Sequence, residues 1–404
     1  MRILQRLALK FKYEDVRSLS QVSVSVARVF VLPNCSARWL NAGGPWVITL
    51  LFISTTVLVV SQRGRPPSQQ LLFSEKSRSA WDHIFLFSPA LLEELKFWSC
   101  NIESFNGYAI RPPPVSSTVV FSDASDAAFG GFSASLGGTV ASGIFNIDDL
   151  GQSSTFRELK GIYYVLLSFV EHLKHKRVKI FTDNQSAARI VSVGSSKVHL
   201  QSVVLGIFRF CFSHGIALEA QWIPRSLNER ADLLSRFVDK DDWRVNPSVF
   251  RLVDAKWGPH KIDRFASYYN AQLARFDSKF ASPGCSGVDA LVQDWSGENH
   301  WICPPVGLVV DAVRVLTACS GRGTLIIPEC PSAYFWPLLR DGPSRLKSFV
   351  REVFVRPAIK DLILEDPGQR QIYKTHPSVF HGCPKFRMLA LRVDFGCAEF
   401  RDLA

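Results

Sequence analysis

Four acidic residues stand where ordinary packing disfavours a charged group. Asp123 and Asp183 each end an apolar, β-branched stretch, in the sequences FSDAS and FTDNQSA. Glu158 lies near the start of an amphipathic helical pattern, and Asp232 lies in a second one, NERADLLSR. Carboxylates that converge without a counter-ion repel one another and raise one another's pKa. The four acids together therefore indicate a site for divalent cations.

The chemistry that fits this set is two-metal hydrolysis. Two cations roughly 4 Å apart need several hard oxygen ligands that converge on one point. One ion activates a water, and the other stabilises the departing 3′ oxygen of a phosphodiester. For any one of the acids a structural role is the alternative, because a strand-end Asp often forms a turn or caps a helix and a lone helical Glu usually faces solvent. Four acids on suitable elements favour the metal site.

The elements that must position these acids are predicted between residues 115 and 240. Period-two alternation predicts strands at 118–123, 131–136, 139–145, 178–182 and 216–223. Helical spacing and capping residues predict helices that begin at residues 155, 185, 200 and 227. The order predicts an α/β fold in which three antiparallel strands are followed by parallel ones, with flanking helices. The ends of the first and fourth strands would then meet at one sheet edge.

The motifs FSDAS, FRELKG, FTDNQSA and WIPRSLNERADLLSR resemble the type 1 ribonuclease H domain of retroelement reverse transcriptases, in the DIRS-like retrotransposon group. The resemblance covers residues 117–238. It implies a ribonuclease H-like sheet and an endonuclease that hydrolyses the RNA strand of RNA–DNA hybrids with two Mg²⁺ or Mn²⁺ ions. The implied catalytic and metal-binding residues are Asp123, Glu158, Asp183 and Asp232. Cellular relatives carry a mobile His before the last Asp, whereas this chain has residues 224–227, PRSL, which implies slow turnover.

The resemblance also implies residues that contact the nucleic acid. Discrimination of RNA from DNA must come from contacts to 2′-hydroxyls, and basic side chains hold phosphates. The basic stretch 174–177, KHKR, is either such a phosphate contact or a solvated helix end. The expected nucleic-acid-binding residues are Ser125, Asn184, Gln185, Arg189, Asn228, Lys176 and Arg177.

A second α/β domain is expected at residues 249–398. Its sequence resembles the region after ribonuclease H in DIRS-like elements, which is similar to phage-type adenine-N6 methyltransferases with a Rossmann-like fold. Those enzymes hold the target amino group with an [Asn/Asp]-Pro-Pro-[Tyr/Phe] loop, whereas residues 303–306 here read Cys-Pro-Pro-Val. The substitutions remove the acceptor side chain and the stacking ring, so we expect a degenerate domain without methyltransferase activity. Asp263 and Asp289 are either remnants of a cofactor pocket or strand-end caps.

The N-terminal part of the chain has fewer signals. Residues 1–72 stay unassigned, and their apolar stretch at 46–60 is shorter than the roughly 20 residues of a spanning helix. A buried strand pair fits it equally well, and we do not favour membrane insertion. Residues 73–114 resemble the helical connection between the polymerase and ribonuclease H parts of a reverse transcriptase. No Tyr-x-Asp-Asp polymerase motif occurs, so a polymerase portion would belong to another part of a parent polyprotein.

The composition excludes a wholly disordered chain, because 47% of the 404 residues are hydrophobic. A formal net charge of +11 suits a polyanionic partner. The nine cysteines form no Cys-x-x-Cys pair, which favours reduced thiols and an intracellular protein in the cytoplasm or nucleus. Two alternatives to the ribonuclease stay open: a catalytically inactive nucleic-acid-binding remnant, and a different nuclease or integrase on the same fold.

Overall fold

The structure is a computed structural model, and it describes residues 48–53, 56–61, 117–237, 243–342, 345–356, 363–364 and 386–396. Only the backbone is described for residues 48–61, 244 and 363–364 within these ranges. Residues 116–188 and 206–404 form one compact unit. Residues 1–115 and 189–205 belong to a second unit, which is treated by itself below.

The described strands are β1 (Ile48–Ile53), β2 (Thr56–Ser61), β3 (Thr118–Ala124), β4 (Ala128–Ser133), β5 (Thr139–Ile144), β6 (Arg177–Thr182), β7 (Ala217–Trp222), β8 (Arg244–Val245), β9 (Ile262–Asp263), β10 (Asp277–Ser278), β11 (Gly287–Val288), β12 (Asn299–Ile302), β13 (Arg322–Pro328), β14 (Val350–Arg356), β15 (Ile363–Leu364) and β16 (Met388–Asp394). The described α-helices are α1 (Ser154–Ser168), α2 (Val170–Leu173), α3 (Gln185–Val193), α4 (Val198–Ser213), α5 (Glu229–Arg236), α6 (Pro247–Trp257), α7 (Val309–Ala318) and α8 (Trp336–Leu339).

The first sheet has five strands in the order β5-β4-β3-β6-β7. The pairs β5/β4 and β4/β3 are antiparallel, and the pairs β3/β6 and β6/β7 are parallel. The predicted mixed sheet with flanking helices is therefore confirmed. Because β3 and β6 run parallel as neighbours, their carboxyl ends lie at the same sheet edge.

The long helix α1 follows from capping and apolar spacing. The Ser153 hydroxyl accepts a hydrogen bond from the Phe156 N–H at 3.3 Å, which satisfies one of the free donors of the first turn. Leu159, Ile162 and Leu166 recur at helical spacing and are fully buried. The buried face packs on β3 and β4, so the helix crosses the strand that carries Asp123.

The predicted bounds of the second strand of this sheet, 131–136, were wrong by three residues. The strand covers Ala128–Ser133, and residues 134–136 form a 3-10 turn that leads into Gly137 and Gly138, whose φ angles are +65° and +78°. The reason is a pair of serine hydroxyls that replace strand pairing. Ser133 donates to the Val119 carbonyl at 2.7 Å, and Ser135 accepts from the Val119 N–H at 3.1 Å. The backbone N–H and carbonyl of Val119 in β3 thus form hydrogen bonds with serine hydroxyls.

The second sheet also has five strands, in the order β14-β16-β13-β12-β9. Strands β9, β12 and β13 are parallel, and β16 is antiparallel to both β13 and β14. Consecutive residues of β13 face different cores: Leu325 and Ile327 pack with Trp295 on one side, and Ile326 packs with Trp301 on the other. This burial on both faces explains the unbroken apolar run TLIIP at 324–328. The region contains a mixed sheet with helices, whereas a separate Rossmann-like domain and its relation to methyltransferases stay predictions.

The second unit contains the antiparallel pair β1/β2. These strands lie in the apolar stretch for which a strand pair was one of the two predictions. Over the residues whose structure is described, no single helix has the length and apolar composition needed to cross a membrane. Helices α3 and α4 meet that test only as a pair, and they are bent by 66°. The predicted segment 73–114 lies outside the described residues.

Candidate metal centre

Three of the four predicted acids converge at the carboxyl edge of the first sheet. Asp123 is near the end of β3, Asp183 directly follows β6, and Glu158 lies on α1. Carboxylate oxygens of the three residues all lie within 4.8 Å of one another. Asp123 and Glu158 are each only 5% exposed. Three converging carboxylates of this kind fit the oxygen-rich ligand set of Mg²⁺ or Mn²⁺.

Gly161 allows Glu158 to reach this cluster. A Cβ atom at position 161 would lie 3.3 Å from the Asp123 carbonyl oxygen and 3.2 Å from the Ala124 Cβ. Helix α1 therefore crosses β3 at close range one turn after Glu158. The Thr182 hydroxyl donates to Oε2 of Glu158 at 3.4 Å and so orients the carboxylate.

Asp232 lies beside the cluster and is held by two arginines. Its Oδ1 atom accepts hydrogen bonds from Arg225 Nη2 at 2.5 Å and from Arg236 Nη2 at 2.9 Å. Its carboxylate is not among the three whose oxygens lie within 4.8 Å, although its charge acts on Asp123. The structure thus brings Asp123, Glu158 and Asp183 together and places Asp232 as a neighbour with its own cationic partners.

Helix α5 is fastened to the cluster by a residue that the sequence analysis missed. The Ser235 hydroxyl donates to Oδ2 of Asp123 at 2.5 Å. The close packing depends on Gly130 in β4, because a Cβ atom there would lie 2.2 Å from the Ser235 backbone nitrogen. The available signal was spacing, since Ser235 follows Asp232 by three residues and shares its helical face.

Burial and mutual repulsion raise the pKa values of two carboxyl groups of the cluster, Glu158 and Asp123. Burial raises the pKa of Glu158 to about 9, and the charges of Asp123 and Asp183 add to this effect. Burial also raises the pKa of Asp123 to about 6, with further increases from Asp183 and Asp232, whereas the Ser235 hydrogen bond opposes the shift. A bound divalent cation would favour the ionised form of each group.

Asn228 ties the start of α5 to β3, the strand that carries Asp123. Its side-chain amide donates to the Ser122 carbonyl at 3.0 Å, and the residue is fully buried. The predicted nucleic-acid contact at this position is therefore a buried link between α5 and β3. Among the described residues its Oδ1 atom is buried without a hydrogen-bond partner.

The predicted contacts next to the acids have hydrogen bonds within the protein. The Ser125 hydroxyl donates to the Ser235 carbonyl at 2.6 Å and accepts from the Ala128 N–H at 3.0 Å. The Asn184 side chain caps α3 by accepting from the Ala187 N–H at 2.9 Å. Gln185, the first residue of α3, is exposed. Gln185 is thus the one of these three whose side chain faces solvent.

Two of the predicted basic contacts, Lys176 and Arg177, lie at the opposite end of β6 from Asp183. Lys176 is exposed before β6, and Arg177 begins that strand, whereas Asp183 follows its other end. A six-residue strand separates the two ends by about 20 Å. Arg177 pairs with Glu219 on β7, with 3.1 Å between Nη2 and Oε2. Arg189 is exposed on α3. The structure does not bring Lys176 and Arg177 to the carboxylates.

Trp222, at the end of β7, is a further residue that the sequence analysis missed. Its indole N–H donates to the Asp183 carbonyl at 3.0 Å, and 45% of the residue is exposed. An exposed ring beside the carboxylates is a surface on which a base or sugar could stack. The sequence AQWIPR indicates that Trp222 lies near a strand end, but it does not indicate the hydrogen bond to Asp183.

In the second sheet region, Asp289 acts as a cap. Its carboxylate accepts from the Leu291 N–H at 3.1 Å, and its φ angle is +57°. Asp263 accepts from the Gln272 N–H at 3.1 Å and is buried. Asp289 is therefore a cap, which was one of the two alternatives expected for these residues.

Comparisons with known proteins found similarity only among solved structures. No family model matches the chain, and no curated protein matches it. LC11-RNase H1 in complex with an RNA/DNA hybrid is 15% identical, with a TM-score of 0.25, over 29% of this chain and 92% of that one. RNase H1 from the halophilic archaeon Halobacterium salinarum is 18% identical, with a TM-score of 0.25, over 29% and 92%. The foamy viral protease-reverse transcriptase in complex with an RNA/DNA hybrid is 12% identical, with a TM-score of 0.23, over 44% and 25%.

Proposed function

We propose that this protein is a metal-dependent endoribonuclease that hydrolyses the RNA strand of RNA–DNA hybrids. The observation that carries the proposal is the convergence of Asp123, Glu158 and Asp183, whose carboxylate oxygens lie within 4.8 Å of one another at the edge of a mixed sheet. Such a concentration of buried acid is costly unless a cation neutralises it. The motif resemblance at residues 117–238 supports the choice of hybrid as substrate.

In this proposal the chain's own residues bind and orient the metal ions. Asp123, Glu158 and Asp183 are the primary ligands, and Asp232 becomes a ligand when its contact with Arg225 opens. Two Mg²⁺ or Mn²⁺ ions would supply an activated water and charge neutralisation at the departing 3′ oxygen. Ser235 and Thr182 hold the carboxylates of Asp123 and Glu158 in fixed orientations through their hydroxyls.

Nucleic-acid contacts surround this centre in the same proposal. Gln185 and Trp222 are exposed next to Asp183 and would contact the strand that is cut. Lys176, Arg177 and Arg189 would contact phosphates farther along the hybrid. The packed side chains of Ser125, Asn184 and Asn228 would contribute by shaping the surface and by presenting nearby backbone amides.

The wider assignments belong to the proposal as well. The motifs favour a retrotransposon polyprotein as the source, with the polymerase in a separate portion and an intracellular location. The domain bounds proposed are 115–240 for the ribonuclease H-like domain and 249–398 for a methyltransferase-related domain. The absence of methyltransferase activity is proposed from the loop at residues 303–306, where Cys303 and Val306 replace the acceptor side chain and the stacking ring.

A second candidate function is hybrid binding without cleavage. One observation favours it: Asp232 is paired with two arginines and stands apart from the other three acids. An inactive remnant would keep the fold and the binding surface while the fourth ligand stays with its arginines. The two functions differ in one measurable outcome, which is strand cleavage.

The deciding experiment is incubation of the full chain with a hybrid labelled on each strand, in Mg²⁺ and separately in Mn²⁺. Cleavage of the RNA strand alone, abolished by Asp183→Asn, is the expected result. Asp148→Asn, which changes an exposed acid, is the matched control and should cleave like wild type. Binding without cleavage by the folded wild type in both metals would overturn the ribonuclease and favour the remnant.

A further inference from the structure

The outer edge of β5 in the first sheet is covered by part of the second sheet region, the name used here for residues 243–396. Strand β5 is the edge strand, and edge strands present unpaired backbone groups. The Ala281 N–H donates to the Val140 carbonyl at 2.9 Å, and the Ser142 N–H donates to the Ala281 carbonyl at 3.3 Å. Ala141 and Ala281 thus form a parallel bridge. The segment joins the sheet by the same strand addition that peptide-binding domains use.

Tyr268 makes a second contact with the same edge. Its hydroxyl donates to the Ile144 carbonyl, and its ring lies 5.5 Å from the ring of Tyr164 and 6.2 Å from that of Phe129. The ring fits because position 143 is a glycine, where a Cβ atom would lie 2.9 Å from Tyr268 Cε1. Tyr164 is on α1, the helix that carries Glu158. The second sheet region therefore packs against one helix of the metal centre.

The covered edge also contacts the other helix of the centre. The Ser142 hydroxyl donates to the Leu234 carbonyl at 3.2 Å. Leu234 precedes Ser235, whose hydroxyl bonds to Asp123. At the end of α5, the Phe237 and Phe280 rings meet edge-on at 5.6 Å. Direct contacts thus lead from Ala281 through Ser142 and α5 to Asp123.

We propose that the second sheet region serves as a brace for the metal centre, with Tyr268 and Ala281 as positioning residues. By holding β5, it holds α5 with Asp232 and Ser235, and by packing on Tyr164 it holds α1 with Glu158. This assigns a purpose to a region whose catalytic motif is altered. The inference rests on the proposed function for its catalytic meaning, while the brace itself is a property of the fold.

The test uses the full chain with Tyr268→Ala, Tyr268→Phe and Ala281→Pro, the last of which removes the N–H that bonds to Val140. Tyr334→Phe is the matched control, because its hydroxyl bonds to Val306 and Gly307 within the second sheet region. Two quantities are measured without substrate: the dissociation constant for Mn²⁺ by calorimetry, and amide hydrogen exchange by mass spectrometry.

We expect Tyr268→Ala and Ala281→Pro to weaken Mn²⁺ binding about threefold to tenfold, the range that corresponds to about one net hydrogen bond. Exchange should rise in residues 139–144 and 229–236 and stay unchanged in 177–182. Tyr268→Phe keeps the ring and should show a smaller effect. Wild-type values for both quantities in Tyr268→Ala would overturn the brace, and if that variant does not fold, wild-type values in Tyr268→Phe and Ala281→Pro would do so.

The two proposals can fail separately. Neither Mn²⁺ binding nor hydrogen exchange requires cleavage. A wild-type chain that never cuts hybrids would refute the ribonuclease and leave the brace intact. A chain that cuts hybrids equally well with Tyr268→Ala and binds Mn²⁺ as tightly would refute the brace and leave the ribonuclease intact.

Discussion

The hydroxyl of Ser235 donates a 2.5 Å hydrogen bond to Oδ2 of Asp123, although 112 positions separate the two residues in the chain. The bond leaves one oxygen of the carboxylate for a cation and fixes the direction in which it points. It also opposes the rise in the pKa of Asp123 that burial causes. Helix α5 thus controls both the geometry and the charge of a residue on β3.

Replacing Ser235 with Ala should shift the acid limb of the cleavage profile to higher pH. The hydrogen bond favours ionised Asp123, so its loss raises the pKa of a group that must be ionised to hold a cation. Mn²⁺ binding at pH 7 should weaken about threefold to tenfold. Ser168→Ala, which removes a hydroxyl bonded to the Tyr164 carbonyl on α1, is the control. An acid limb that stays at the wild-type pH would contradict the role of Ser235.

In the absence of divalent cations, Glu158 should make the protein less stable as pH rises. Its pKa is about 9 when folded and has an ordinary value of 4.5, so the folded state binds more protons between these values. The free energy of unfolding therefore falls as pH rises through that interval. Glu158→Gln should flatten this dependence. Added Mg²⁺ should raise the unfolding free energy of the wild type at pH 8.5. Thermal unfolding from pH 5 to 9 measures all three.

An equal pH dependence of wild type and Glu158→Gln would show that the carboxylate is not the group responsible. Asp148→Asn serves as the control for replacing a carboxylate with an amide, because Asp148 is exposed. It should reproduce the wild-type slope of unfolding free energy against pH.

Gly130→Ala should separate α5 from β4. The new Cβ atom would lie 2.2 Å from the Ser235 nitrogen, so the helix must move. Overpacking of this kind costs about 2–3 kcal/mol of unfolding free energy. Gly307→Ala, where no atom lies within 4 Å of the new Cβ, should change stability by less than about 1 kcal/mol. Urea unfolding of both variants provides the comparison, and equal losses would refute the close packing.

Arg225→Gln should strengthen Mn²⁺ binding. Arg225 donates to Oδ1 of Asp232 at 2.5 Å and therefore competes with any cation for that oxygen. Because 63% of the Arg225 side chain is exposed, the pair contributes at most about 1 kcal/mol, and the gain should be no more than about fivefold. Arg314→Gln, which breaks an exposed pair with Asp311, is the control. Weaker binding in Arg225→Gln would instead indicate that the arginine helps to orient Asp232.

Much of the metal centre could be predicted from the sequence because its signals are local. Apolar runs that end in Asp123 and Asp183 define two strands, and the apolar period around Glu158 defines a helix, whatever surrounds them. A mixed α/β fold follows from the order of those elements. The bounds of β4 could not be predicted in this way, because the strand ends where the Ser133 and Ser135 hydroxyls form hydrogen bonds with Val119 in β3.

What the tertiary structure alone decided is which polar groups meet. The pairing of Arg236 with Asp232 follows from their spacing of four residues on α5, whereas the pairing of Arg225 depends on how the turn before α5 approaches the carboxylate. The partner of Ser235 and the placement of Tyr268 on β5 depend on glycines at 130 and 143 that leave room for close packing. The contacts of Ser235 and Tyr268 join residues far apart in the chain through short-range forces, so no local pattern encodes them. Residue types and spacing determined the acids and the elements that carry them, and packing decided their partners.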